Sequence, residues 1–290
     1  MKKSIFENKK NLWVSLGIFG FMVLFVLPVL FDVDSKSAQQ KQGSLCYINL
    51  QRLGTCLLQY SQQHGKFPES LSVLVEEKYI ASEFAQSPVD GSEYIYLNNA
   101  NGDVPFNVPL IAESRALHLT SRNERYGMVL LGDFQIIYVG ESYLQRYVHV
   151  IKKLQKIATI NDGKLLVEKL NSELQYRSDN ATINFLLAKL GRLKYQPAIP
   201  IIKKCQNYYN PANTEMSSLA RSIAFQANYT LFQFAESYDD KFMAKFLTSD
   251  NYFHRKKAWS VLNAKKTISA NTVISPSHAE EYYNQRVRKK

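Results

Sequence analysis

The sequence predicts an α+β chain with an N-terminal transmembrane helix, a module of one long helix plus a small antiparallel sheet, and an all-α module. Three observations predict it. Residues 13–31 are an uninterrupted apolar run. Residues 44–140 pass from helical spacing into short strands punctuated by Pro and Gly. From residue 142 onward, apolar side chains recur at three- and four-residue steps with few breaks. The expected divisions are 1–34 (cytoplasmic N-terminus and anchor), 35–141 (α+β), 142–275 (helical) and 276–290 (basic tail).

The apolar run reads WVSLGIFGFMVLFVLPVLF from Trp13 to Phe31, nineteen residues with no ionisable group. At 1.5 Å per residue it spans about 28 Å, close to the hydrocarbon thickness of a bilayer. Lys2, Lys3, Lys9 and Lys10 precede it, and Asp32 and Asp34 follow. Positive residues favour the cytoplasmic side. The expectation is therefore a single-pass protein of the bacterial cytoplasmic (inner) membrane, N-terminus inside and residues 35–290 periplasmic or otherwise extracytoplasmic. A cleaved signal peptide is the rival reading. Its apolar stretch would be unusually long, and the following DVDSKSAQQ offers only Ser35-x-Ser37 as a small-x-small site. A buried helix of a water-soluble domain is the third reading.

Of the 290 residues, 46% are hydrophobic and 12% aromatic, which excludes wholesale disorder. The net charge of +11 is unevenly placed. Residues 1–34 carry +1, residues 35–150 carry −2, and residues 151–290 carry +12. The last part is thus the candidate for meeting an acidic partner.

The first module opens at Ser44, where Leu45, Ile48, Leu53, Cys56, Leu57 and Tyr60 predict a helix that ends at His64-Gly65. The polar residues 32–43 before it read as a short stalk. A brief helix from Ser70 through Tyr79, a turn at Ser87-Pro88-Val89-Asp90-Gly91 and a strand at Tyr94–Leu97 follow. The stretch INLQRLGTCLLQYSQQHGKFPESLSVLVEEKYI, then SPVDGSEYIYL, resembles the soluble part of bacterial pseudopilin-like proteins. Asn49, Leu50, Leu53, Gly54, Leu58, Tyr60, Gly65, Lys66, Phe67 and Pro68 carry that resemblance. It continues in Pro109–Glu113, in Met128–Asp133 and in a final strand from Gln135 to Val139. What it implies is a pilin-like α+β fold over roughly residues 44–140.

The departures bear on function. The processing signal Gly-Phe-x-x-x-Glu of the fibre-forming members is missing. The chain's Gly20-Phe21 lies inside the apolar run, with Phe25 where the Glu would stand. The family's Asp-Gly element reads Asp133-Phe134, and Asn123 takes the place of its histidine, with His118 nearby but out of register. The expectation is a chain that does not polymerise by the pilin mechanism.

In the second module, Leu144, Tyr147, Val148, Ile151, Leu154 and Ala158 form one stripe, and Asn161-Asp162-Gly163 breaks the helix. Further helices are expected at 165–174, 180–193, 197–208, 214–236, 240–248 and 252–264. LLAKLGRLKYQPAIPIIKKC resembles half of a HEAT-like repeat through Ala188, Leu190, Gly191, Leu193, Ala198, Pro200 and Ile201. Residues 255–262, RKKAWSVL, resemble the start of another. An irregular helical bundle is the alternative. The candidate basic interaction surface is Lys203, Lys204, Arg255, Lys256, Lys257, Lys265 and Lys266. Such a face attracts anionic lipid or another phosphate-rich surface. No recognised nucleic-acid motif accompanies it, so nucleic acid is the less favoured partner.

For chemistry, His64, Glu113, His118 and Asp133 are the tempting side chains of the first module, and nothing in their spacing implies a nucleophile, base and orienting group together. Cys46, Cys56 and Cys205 match no zinc or redox motif. Cys46 and Cys56 are about 15 Å apart along one helix, too far for a disulfide. No catalytic residue, cofactor or metal is therefore assigned. The functional expectation is a membrane-anchored, non-catalytic binding or scaffold protein of the cell envelope. It would touch the membrane through residues 13–31 and meet an envelope protein or anionic surface through the basic module. An accessory component of a type II secretion or type IV pilus-like assembly is the alternative, and an enzyme the third.

Overall fold

The computed structural model describes residues 27–98, 104–120, 122–176, 179–207, 217–249 and 252–264. Helix α1 (Leu27–His64) is 38 residues long, and its side chains are described from Gln42 onward. Its inward stripe is Cys46, Leu50, Leu53, Leu57 and Tyr60, at three- and four-residue steps. Each buried leucine contributes about 1.5–3 kcal/mol. Leu45 and Ile48, expected on that stripe, lie off it and are exposed. The helix stops at Gly65, whose φ of +71° continues no right-handed helix and whose N–H caps the carbonyl of Ser61 at 2.9 Å.

This helix corrects the sequence reading in two ways. Residues 32–43, expected as a stalk, belong to α1. Among the described residues, no helix is long and apolar enough to cross a membrane. The described helix runs on through Asp32, Asp34, Lys36 and Lys41, so its apolar start is short. The stretch from Trp13 to Val26 lies outside the described residues. That finding overturns the transmembrane helix as an element of the fold class. The inner-membrane location and outward-facing topology rest on that helix and lose their support with it.

After the short helix α2 (Leu71–Glu76) comes a five-stranded antiparallel sheet: β1 (Ile95–Tyr96), β2 (Pro109–Ala112), β3 (His118–Leu119), β4 (Arg125–Leu131) and β5 (Ile136–Gly140). Strand β4 is its centre. One edge takes β5 along nearly its whole length, from Tyr126 opposite Gly140 to Leu130 opposite Ile136. The other edge takes two strands in series: β2 opposite Val129–Leu131, then β3 opposite Arg125 and Tyr126. Alternation is lost in the middle of β4, where Gly127 to Leu130 are all buried, because α1 and α3 both contact this strand.

Helix α3 (Glu141–Ala158) starts one residue after β5 and packs on β2, β4 and β5, and also on helix α5 (Asn180–Leu193). The expected boundary at residue 141 thus falls at a junction without a linker, and one hydrophobic core runs across it. Helices α4 (Gly163–Tyr176) and α7 (Ser217–Gln233) pack on α5, α6 (Ile199–Gln206) packs on α7, and α8 (Asp240–Ala244) and α9 (Tyr252–Ala264) lie beyond. Helix α5 is the bundle's centre, buried from Thr182 to Gly191. Asp179 caps it by accepting the Thr182 N–H at 2.6 Å. Gly191 lets α7 approach, since a Cβ there would meet the Gln233 side chain at 2.2 Å.

Head and bundle meet in an aromatic cluster. Phe106, in the loop before β2, packs on Phe225 of α7 (6.3 Å between centroids) and on His254 of α9 (3.9 Å). Burial, followed by the charges of Lys257 and Arg221, lowers the His254 pKa from 6.5 to about 4. A base whose pKa is depressed by folding binds fewer protons in the native state. Its stability contribution is present above pH 6.5 and is lost as pH falls toward 4. The expected result is a wild-type loss of up to about 3 kcal/mol across that interval, at about 1.4 kcal/mol per pKa unit. Urea midpoints measured against pH for wild type and His254→Leu test it, because the variant should lack this part of the slope.

Candidate functional site

The way β2 and β3 share one edge of β4 creates the site. The chain leaves the edge after Ala112, makes a short excursion through residues 113–117, and returns at His118. Glu113 and His118 therefore close the two ends of the excursion and face each other. His118 Nε2 and Glu113 Oε1 are hydrogen-bonded at 2.9 Å. The other carboxylate oxygen, Oε2, accepts the backbone N–H of Met128 at 2.8 Å. Both side chains are sealed, at 1% and 2% exposure.

Helix α1 lies over this pair and delivers Cys46, itself fully buried. Ligand atoms of Cys46, Glu113 and His118 all lie within 4.8 Å of one another. Burial, followed by the Glu113 carboxylate beside it, pushes the Cys46 thiol pKa well above its usual range. Tyr94 comes in from the loop before β1. Its hydroxyl is buried near Asn49, Cys46 and Glu113 without a hydrogen bond of acceptable geometry. The remaining cysteines lie outside this cluster: Cys56 donates to the Tyr79 carbonyl at 3.2 Å, and Cys205 is buried in α6. All three thiols are free.

A cleft of about 490 Å³ opens beside the cluster, between α1 and strands β4 and β5. Gly43, Tyr47, Ile48, Tyr126, Met128 and Tyr138 line it. The Tyr47 and Tyr138 rings lie parallel with centroids 6.3 Å apart, and Tyr126 meets Tyr138 edge-on at 5.8 Å. Ile48 is 39% exposed and Tyr138 57%. Tyr126 joins cleft to cluster, its ring 5.2 Å from His118. Gly43 packs close to both: a Cβ there would sit 3.0 Å from the Tyr126 hydroxyl and 3.7 Å from His118 Nδ1.

Of the four tempting side chains, the structure brings together Glu113 and His118 and leaves the others apart. His64 lies at the exposed end of α1, stacked on Tyr60 and 3.5 Å from Glu77. Asp133 accepts the Gln135 N–H at 3.1 Å and so shapes the β4–β5 turn. Cys46 and the tyrosine cleft escaped sequence reasoning. The signal for the cleft is that Leu45 and Ile48 are out of phase with Cys46, Leu50, Leu53 and Leu57. The signal for Cys46 is absent, because its partners come from strands more than sixty residues away.

The predicted basic residues are partly spent on the fold. Lys203 pairs with Glu236 at 2.9 Å, Lys257 sits 4.7 Å over the Tyr229 ring, and Arg255 donates to the Ser249 carbonyl. Lys204 is exposed at the end of α6, and Lys256 on α9. Lys265 and Lys266 lie outside the described residues. Lys194, Lys203 and Lys257 all engage the C-terminal half of α7 or the turn after it, which gathers part of the positive charge there.

Fold and site together define a class: an α+β head, continuous with a helical bundle, that encloses a Cys–Glu–His cluster beneath a tyrosine-lined cleft. No protein-family model matches the chain, and no curated protein or solved structure gives a significant match.

Proposed function

We propose that the protein is a non-catalytic binding or scaffold protein whose head receives a protein partner in the tyrosine cleft, with the helical bundle as a second, basic contact surface. The observation that carries this reading is the cleft itself, an aromatic recess bordered by exposed Ile48 and Tyr138. Tyrosine supplies large, rigid contact area with a polar tip, and it is enriched at interfaces and their hot spots. Glu113 and His118 do not line the cleft and are buried beneath it rather than presented to a substrate.

A photo-crosslinking amino acid at position 138 tests the cleft, with the same group at Tyr176 as control. Tyr176 is 73% exposed and does not line the cleft. A discrete protein adduct from position 138 and none from 176 is expected. Tyr138→Ala should then weaken capture of that partner by about 2 kcal/mol, the size of an interface hot spot, with little change in melting temperature. Equal labelling from both positions, or none from 138, would rule this surface out.

A second reading is an accessory component of a type II secretion or type IV pilus-like assembly. It is favoured by one arrangement, a long helix whose C-terminal part lies on a small antiparallel sheet, as the resemblance to pseudopilin-like modules implies. Crosslinked partners from position 138 distinguish the two: secretion or pilus components support the second reading, and unrelated proteins remove it.

A further inference from the structure

We infer that Cys46, Glu113 and His118 form a binding site for a divalent transition ion of the zinc class, linking α1 to the sheet. The three ligand atoms already converge within 4.8 Å in the core. A tetrahedral zinc with bonds of about 2.0–2.3 Å needs its ligands roughly 3.3–3.8 Å apart. The His118–Glu113 contact of 2.9 Å must therefore open by only a fraction of an ångström.

Charge supports the same assignment. Thiolate, carboxylate and neutral imidazole carry two negative charges between them, which a divalent cation neutralises. Without the ion, a buried thiol faces a buried carboxylate, and the pair is unfavourable as soon as the thiol ionises. A bound cation reverses that, since a coordinating thiol is deprotonated outright and its proton is released. The mixed sulfur, nitrogen and oxygen set suits zinc better than magnesium or calcium, which take oxygen.

Two further features fit a metal site. The Met128 N–H holds the second oxygen of Glu113 and orients its carboxylate from the outer shell. Tyr94, 6% exposed, adds a buried hydroxyl without a hydrogen bond of acceptable geometry. A water would fill the fourth position, as in other sites with three protein ligands.

Full-length protein is purified with a chelator, loaded with Zn2+, desalted and analysed for metal. One zinc per chain is expected. Loaded with Co2+ instead, the protein should show thiolate-to-cobalt charge transfer in the near ultraviolet and tetrahedral ligand-field bands. Cys46→Ser and His118→Asn should each lower zinc affinity by more than the roughly 10- to 100-fold that loss of an outer-shell partner costs. Cys56→Ser and Cys205→Ser, at thiols outside the cluster, should leave it unchanged. A wild-type chain that retains no zinc, or a cobalt adduct without the thiolate band, overturns the assignment. If the cluster variants do not fold, the wild-type cobalt spectrum and the two control cysteines decide the question alone.

Discussion

Glu113→Ala should cost the metal-free protein about 3–5 kcal/mol, one of the largest effects of any single substitution in the head. The Glu113 carboxyl group bonds two buried groups at once, the His118 ring at 2.9 Å and the Met128 N–H at 2.8 Å. Removing it strands both, and each unsatisfied buried group costs about 1–3 kcal/mol. The cavity left behind cannot be relieved easily, because α1, β2 and β4 all press on it. Glu113→Gln is the informative partner. The amide keeps one acceptor oxygen, so it satisfies one donor and should lie between alanine and wild type. Urea unfolding in the presence of a chelator measures both. Equal stability of wild type and Glu113→Ala would mean that the two groups find water or other partners, and that the cluster is less tightly sealed than its burial indicates.

Phe225→Ala should cost about 3–5 kcal/mol, for a different reason. Phe225 is fully buried on α7 and meets Phe106 of the head at 6.3 Å, Phe246 at 4.5 Å and His254 at 4.9 Å. Its truncation opens a void where three parts of the chain converge. Asn184, which donates to Asn107 at 2.8 Å, marks the same seam from α5. The prediction therefore concerns cooperativity as well as magnitude. If the seam joins head and bundle into one unit, thermal unfolding of Phe225→Ala remains a single transition displaced downward. A head transition left at the wild-type temperature beside a separate bundle transition would show that the seam adds contacts without coupling.

The helical half was the more legible part of this chain. Asp179 before an apolar run and the Asn161-Asp162-Gly163 break mark helix ends by local chemistry alone, and α5 spans the expected residues 180–193. The strands were legible as short apolar runs, but their pairing was not. That β2 and β3 share an edge of β4 depends on contacts between distant residues, which no local period encodes. The cluster inherits that limit. Glu113 and His118 are legible as tempting polar side chains of the first module, whereas Cys46 lies off the expected stripe of Leu45, Ile48, Leu53, Cys56, Leu57 and Tyr60 and matches no motif. The N-terminal reading went astray because it judged residues 32–43 by their polarity. Helix α1 continues through them, since polar residues are no obstacle to helix formation. Leu45 and Ile48 are apolar but lie off the side of the helix that Cys46, Leu50, Leu53 and Leu57 share, so hydrophobicity without phase does not place them.

The direct passage from β5 into α3 also constrains how this chain could have been assembled or inherited. Leu144, Val148, Ile151 and Leu154 of α3 are buried, and the helix contacts the sheet on one side and α5 on the other. A gene fusion that grafted residues 27–140 onto another chain would leave the sheet without one of its covering helices. A graft of the remainder would carry α3 with an uncovered apolar flank. Neither half is a portable cassette, so changes in one must be accommodated by the other. Recombination would preserve the fold only where a crossover spares α3 whole and brings both of its neighbours along.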